Sequence, residues 1–125
     1  MKMNASAKWW LSLRWAVAAV WLYQGLWLKV LAVDARHLAI VASAPAFVPA
    51  RVALACIGAV ETLFGIALLL RCKPRLFAWL QIATLAGMNG AGILFGGEHI
   101  TDIGGMLTMN LVFALAIWGL AHHAP

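Results

Sequence analysis

The sequence predicts an all-α integral membrane protein: one domain, residues 1–125, built as a four-helix up-down-up-down bundle with both termini cytoplasmic. Three observations lead there. First, 65% of the residues are hydrophobic and only 10% are charged, with mean hydropathy +0.92. A water-soluble domain of this size has no interior large enough to hide that much apolar surface. Second, the apolar residues gather in four stretches, 9–33, 52–70, 76–95 and 103–121, each near the roughly 20 residues that a helix needs to span a bilayer. Third, the nine Lys and Arg residues, which give a net charge of +5, lie mainly at the ends of those stretches. That placement fits topology and lipid headgroups rather than nucleic acid, which is not expected as a partner.

Residues 1–8 form a short basic arm, and the first span follows, carrying Arg14, Gln24 and Lys29. It is too long and too polar for a secretory signal peptide. Residues 34–51 make the longest connection. A small apolar patch at 38–41 predicts an interfacial helical turn there, and Pro45 and Pro49 predict an extended entry to the second span. The second span ends at the basic turn Arg71-Cys72-Lys73-Pro74-Arg75, whose proline is expected to stop a helix. The third and fourth spans carry no charge and are joined by an acidic turn with Glu98 and Asp102. Lys2, Lys8 and Arg14 flank one side of the membrane, and Arg71, Lys73 and Arg75 return to it after two crossings. The positive-inside rule makes that side cytoplasmic. Trp9, Trp10, Trp79 and Trp118 then belong to the inner interface and Trp27 to the outer. Cys56 and Cys72 fall at different depths and are expected to stay unpaired.

Glu61 lies in the middle of the second span, in VALACIGAVETLFGIALLL. An acid at that depth costs roughly 2.5 to 3.5 kcal/mol by insertion scales, so it is expected to face the protein interior and to be paired, protonated or used. Gly58 and Gly65 share its helical face and allow a neighbouring backbone to come close. At a rise of about 1.5 Å per residue, Gln24, Asn89 and Asn110 fall roughly 3 to 6 Å to its outer side, so each span contributes one polar group to a common layer. On the first span Arg14, Trp21, Gln24, Gly25 and Leu28 make a stripe with Lys29 at its edge. The same rise puts Lys29 about 12 Å above the midplane, beyond the reach of its side chain to Glu61. Glu61 is therefore expected to be neutral and hydrogen-bonded to Gln24 or an asparagine, and Glu61→Leu is expected to fold well. The other reading of Gln24, Asn89 and Asn110 is interhelical glue, and of Arg14 an anchor at the inner interface. No span contains a histidine, so a bundle haem is not expected; no metal or flavin motif is present either.

The residues Trp21-Leu22-Tyr23-Gln24-Gly25-Leu26-Trp27-Leu28-Lys29, with Gly58, Glu61 and Gly65 downstream, resemble the DoxX-like family of small four-helix membrane proteins. That family's first helix commonly reads R, then W-L-Y-Q-G-L-x-P-K, and its second G-x-x-E-x-x-x-G. Arg14, Trp21, Gln24, Gly25, Lys29, Gly58, Glu61 and Gly65 match. Leu28 stands where proline is usual, and Ile103-Gly104 replace a Pro-Phe pair after Asp102, while Asn110 is kept. The resemblance implies a membrane redox setting, since the family name derives from subunits associated with thiosulfate:quinone oxidoreduction. The expected location is the bacterial inner membrane, as a multi-pass protein.

Three functions stay open on this reading. The first is a quinone- or redox-associated membrane subunit. Its candidate catalytic residues are Glu61 and Lys29, with Gln24, Trp21, Asn89, Asn110 and Arg14 as ligand-binding candidates. Quinone is the candidate cofactor, and electrons would come from a membrane or peripheral redox partner. The second is a non-catalytic helper of a partner enzyme. The third is a small proton-coupled transporter, although such proteins carry their acid in the first helix. Assembly with further copies of the chain is left open.

Overall fold

The structure, a computed structural model, describes residues 2–45 and 47–125. Five α-helices and no strand occur among the described residues: α1 (Ala5–Leu22), α2 (Ala35–Ser43), α3 (Ala50–Leu70), α4 (Pro74–Gly96) and α5 (Ile103–His122). The first helix does not end at Leu22. It continues as a π-helix, π1 (Tyr23–Leu31), so the helix runs unbroken from Ala5 to Leu31. Three helices, Ala50–Leu70, Pro74–His99 and Ile103–His122, are long and apolar enough to cross a membrane. The Ala5–Leu31 helix and α2 pass the same test only together, as a pair bent by 81° at the break between them, and count as a fourth span if the pair is one span. The protein is a multi-pass membrane protein in contact with lipid.

Local chemistry sets the boundaries. Asn4 accepts a hydrogen bond from the Ala7 amide (2.8 Å), Asp34 from His37 (3.2 Å) and Asp102 from Gly105 (2.9 Å), each satisfying an amide that the first helical turn leaves free. α3 closes on Arg71 in the left-handed region (φ 55°), with the Cys72 amide donating back to Ala67 O at 3.0 Å. Pro74 does not stop a helix as expected. It occupies the first turn of α4, where its missing N–H would have had no partner in any case. The interfacial turn expected over 38–41 is a full helix at 35–43, capped by Asp34; the run through Pro45 and Pro49 includes position 46, outside the described residues.

The expectation that 3.6-residue spacing governs the whole first span is the main correction. Ala32 N–H bonds to Trp27 O at 2.7 Å, five residues back, and two residues beyond the end of π1 the chain turns at Val33 with φ 51°. A β-branched residue rarely takes that conformation, which costs on the order of 1–3 kcal/mol. Five-residue closure puts more residues into each turn. The buried side of the first helix reads Arg14, Val17, Ala18, Trp21 in α1, in steps of three and one, and then Gly25 and Lys29 in π1, in steps of four. Lys29 moves from the edge of the stripe to its centre, and Gln24 and Leu28 become half-buried.

α1 packs against α3 and α5, α4 against α5 and α3, and π1 lies along α3. Trp21, 1% exposed, is the hub of the core. Its ring lies 5.2 Å from Phe64 of α3 and 5.1 Å from Phe113 of α5, and its Nε1 donates to Gln81 Oε1 of α4 at 2.7 Å. Gln81 is also 1% exposed and donates to Phe77 O. At one end of the molecule the start of α1, the α3–α4 turn and the end of α5 meet. At the other, α2 lies against α4, with Ile40 over Gly96.

Candidate functional site

Lys29 and Glu61 form an ion pair, Nζ to Oε1 2.8 Å, between π1 and α3. Both side chains are buried, at 8% and 1% exposure. The expected 12 Å gap is closed by two features that a sequence read at 3.6 spacing does not carry. The π-helix, with more residues per turn, rises less per residue than an α-helix and turns Lys29 inward. Gly25 and Gly58 then let the two backbones approach until side chains have no room at either position. A Cβ at Gly25 would stand 2.6 Å from Gly58 O and 2.7 Å from Glu61 Cβ, and one at Gly58 would stand 2.8 Å from Lys29 Cβ. Each glycine makes room for the partner helix's charged residue. Gly65 extends the seam under Leu22.

Lys29 Nζ donates to Gln24 O at 3.3 Å as well as lying 2.8 Å from Glu61 Oε1. An ammonium has three protons to give, and Gln24 and Glu61 take two at most.

The single polar layer expected across all four spans resolves into separate contacts. Gln24 reaches the pair through its backbone carbonyl. Asn110 Nδ2 donates to Asn89 Oδ1 at 2.8 Å, tying α5 to α4. Trp21 pairs with Gln81, which the sequence reading left out of the site; its signal was a glutamine in an otherwise chargeless span. Arg14 is 6% exposed and donates to Leu68 O at the end of α3 (3.2 Å), fifteen residues and about 20 Å of helix from Lys29. An apolar groove of about 290 Å³ lies between α3 and α4, lined by Cys56, Ile57, Val60, Thr84 and Met88; neither Lys29 nor Glu61 lines it.

The DoxX-like family model matches residues 18–118, most of the chain and all of the Lys29–Glu61 seam. The chain belongs to the DoxX-like family. No match was found among curated proteins or among solved structures. In this DoxX-like protein the motif positions Trp21, Gly25, Lys29, Gly58, Glu61 and Gly65 lie on the facing sides of π1, α1 and α3, and Gln24 meets the pair through its backbone carbonyl. The π-helix forms although Leu28 stands at the usual proline.

His37 adds a titrating group that the sequence reading placed in a loop. It sits on α2 with Nδ1 3.2 Å from Asp34 Oδ2. Burial pushes its imidazole below the ordinary histidine range; the Lys29 ammonium acts the same way, the Asp34 carboxylate opposes, and Arg36 lowers it further. The folded state thus takes up its proton later than the unfolded one as the pH falls. Stability is complete above the ordinary value of about 6.5 and declines from there toward the lower folded value. Amide exchange across 35–43 is expected to speed up as the pH falls from about 7.5 to about 5.5, after correction for intrinsic exchange. His37→Leu is expected to flatten that dependence; an unchanged slope would show that another group controls α2.

Proposed function

We propose that this DoxX-like protein is a membrane subunit that binds a small lipophilic carbonyl compound, of the quinone class, at the Lys29–Glu61 pair. The spare proton on the Lys29 ammonium carries the reading: beside an acid that can release a proton, it suits a ligand that accepts one hydrogen bond and later needs a proton. Lys29 would donate to the carbonyl, Glu61 would hold or release the proton, and a redox partner would supply electrons. Gln24 would orient Lys29 through its carbonyl. Trp21, Asn89, Asn110 and Arg14 would serve by holding the helices in register.

The test is quinone retained by protein purified in mild detergent from native membranes. Lys29→Met is expected to lower occupancy about tenfold, the equivalent of about 1.4 kcal/mol, while Glu98→Gln leaves it unchanged. Glu61→Gln should keep the ligand and lose proton-coupled turnover. Equal occupancy in wild type and Lys29→Met would reject the reading.

A second reading is favoured by the Gly25–Gly58 approach, which seals the pair with backbone. The pair would then be a fastener in a non-catalytic helper, and Lys29→Met/Glu61→Leu would support partner activity as wild type does.

The reading places the protein in a bacterial inner membrane with four crossings, up-down-up-down, and both termini cytoplasmic, with α2 at the outer interface. With Cys56 and Cys72 replaced, single cysteines at Ser6, Lys73 and Pro125 are expected to resist an impermeant maleimide in intact cells. Cysteines at Ala44 and Glu98 are expected to react. Labelling at Lys73 from outside would contradict the orientation.

A further inference from the structure

We propose that the end of the molecule formed by the start of α1, the α3–α4 turn and the end of α5 is a binding site for a phosphate-bearing anion, gripped by Arg14 and Arg71. A cavity of about 250 Å³ lies there, lined by Arg14, Arg71, Trp10, Ala7 and Leu11 among others. Arg14 is more than nine-tenths buried, and one arm of its guanidinium is committed to Leu68 O. Its Nε is buried with no partner among the described residues. A guanidinium is a rigid planar fork, so fixing one arm on a helix carbonyl also fixes the direction in which Nε donates. A buried charged donor left unmatched is expensive, and a tetrahedral oxyanion is the partner that such a fork fits best.

The charge distribution supplies the second argument. Arg71, held at the left-handed end of α3, brings another guanidinium to the same cavity. Three ion pairs form among the described residues, and neither arginine takes part in one. The chain has four acids. Glu61 is paired with Lys29; Asp34 caps α2, Asp102 caps α5, and Glu98 sits beside His99, all three on the connections around α2 and the α4–α5 turn. No carboxylate side chain is therefore at hand for Arg14 and Arg71; Pro125 also lines the cavity, with no ion pair to either guanidinium. The apolar wall of Trp10, Leu11 and Met3 suits the glycerol and first methylenes of a phospholipid, while the two guanidiniums would serve equally for a free phosphate. The shared chemistry is the phosphate oxyanion, and the site is independent of the quinone reading.

The experiment uses the full chain in dodecyl maltoside and measures binding by native mass spectrometry and by the shift in melting temperature. The probes are phosphatidylglycerol, inorganic phosphate and diacylglycerol, the last a lipid without phosphate. Phosphatidylglycerol is expected to bind and stabilise, and diacylglycerol to do neither. Arg71→Gln is expected to weaken phosphatidylglycerol binding about tenfold, equivalent to about 1.4 kcal/mol. Arg75→Gln, which removes the same charge outside the cavity, should leave it within about twofold. Arg14→Gln is expected to weaken it at least as much as Arg71→Gln; because that variant also strips a bond from α3, Ala7→Phe serves beside it, filling the cavity with both charges intact, and is expected to abolish binding. Inorganic phosphate that displaces the lipid and stabilises alone identifies a soluble anion; phosphate without effect identifies a headgroup. Equal losses in Arg71→Gln and Arg75→Gln, or full binding in Ala7→Phe, would overturn the proposal in favour of diffuse surface attraction.

Discussion

Glu61→Leu is expected to destabilise the folded protein by about 3 to 5 kcal/mol, the usual effect of removing one partner from a buried ion pair. The loss comes from Lys29, which stays buried among π1 and α3 with its counterion gone. Lys29→Met should behave similarly, leaving the carboxylate alone. The double variant Lys29→Met/Glu61→Leu is expected to recover most of the loss and to fall between slightly less and somewhat more stable than wild type, because apolar replacement of an entire buried pair is often neutral or stabilising. Reversible unfolding in mixed micelles would give the cycle. Additive single losses in the double variant would mean that the residues do not interact.

Gly25→Val is expected to be at least as damaging. Even the first added carbon meets Gly58 O, Glu61 Cβ and the Thr62 amide within 2.9 Å. None of these is the far end of a flexible chain, so the helices must move apart. Overpacking of this kind costs about 1 to 3 kcal/mol in a soluble core, and here it also separates Lys29 from Glu61, adding the cost of splitting the pair. Gly58→Val meets the same limits from the other side. Gly87→Ala and Gly90→Ala are the comparison: a Cβ there has nothing within 4 Å, so both should be neutral or mildly stabilising, by up to about 1 kcal/mol through helix propensity. Equal loss of stability in all four variants would mean that close approach does not set Gly25 and Gly58 apart from Gly87 and Gly90.

Much of this was legible in the sequence, because hydropathy and end-charge are sums over many residues and survive local errors. The membrane class rests on such sums, the family on the motif from Trp21 to Lys29, and the inward position of Glu61 on the cost of an acid in lipid. The position of Lys29 was not legible at 3.6 residues per turn: no residue in Tyr23–Leu31 announces a wider helix, Leu28 even lacks the proline that would signal irregularity, and the close approach at Gly25 and Gly58 cannot be read from spacing. Once π1 is in place, Lys29 reaches the acid and Gln24 moves off the central face. Gln81 was passed over because glutamine has no charge to make its burial conspicuous, although it is as buried as Glu61. His37 was assigned to a loop because the helix-forming signal in Ala35–Ser43 is short, and its cap, Asp34, was read as part of a connection.

The contact between Lys29 and Glu61 is the claim on which the site rests, and it can be measured directly. The chain has four lysines and two glutamates, so a Glu98→Gln protein labelled with ¹⁵N at lysine Nζ and ¹³C at glutamate Cδ carries one labelled carboxyl group inside the membrane. Dipolar recoupling by solid-state NMR in liposomes is expected to show one strongly coupled Nζ–Cδ pair, abolished by Lys29→Met, in keeping with the 2.8 Å approach of Nζ to Oε1. A Cδ with no lysine coupling would contradict the account and return Glu61 to Gln24 or an asparagine as its partner.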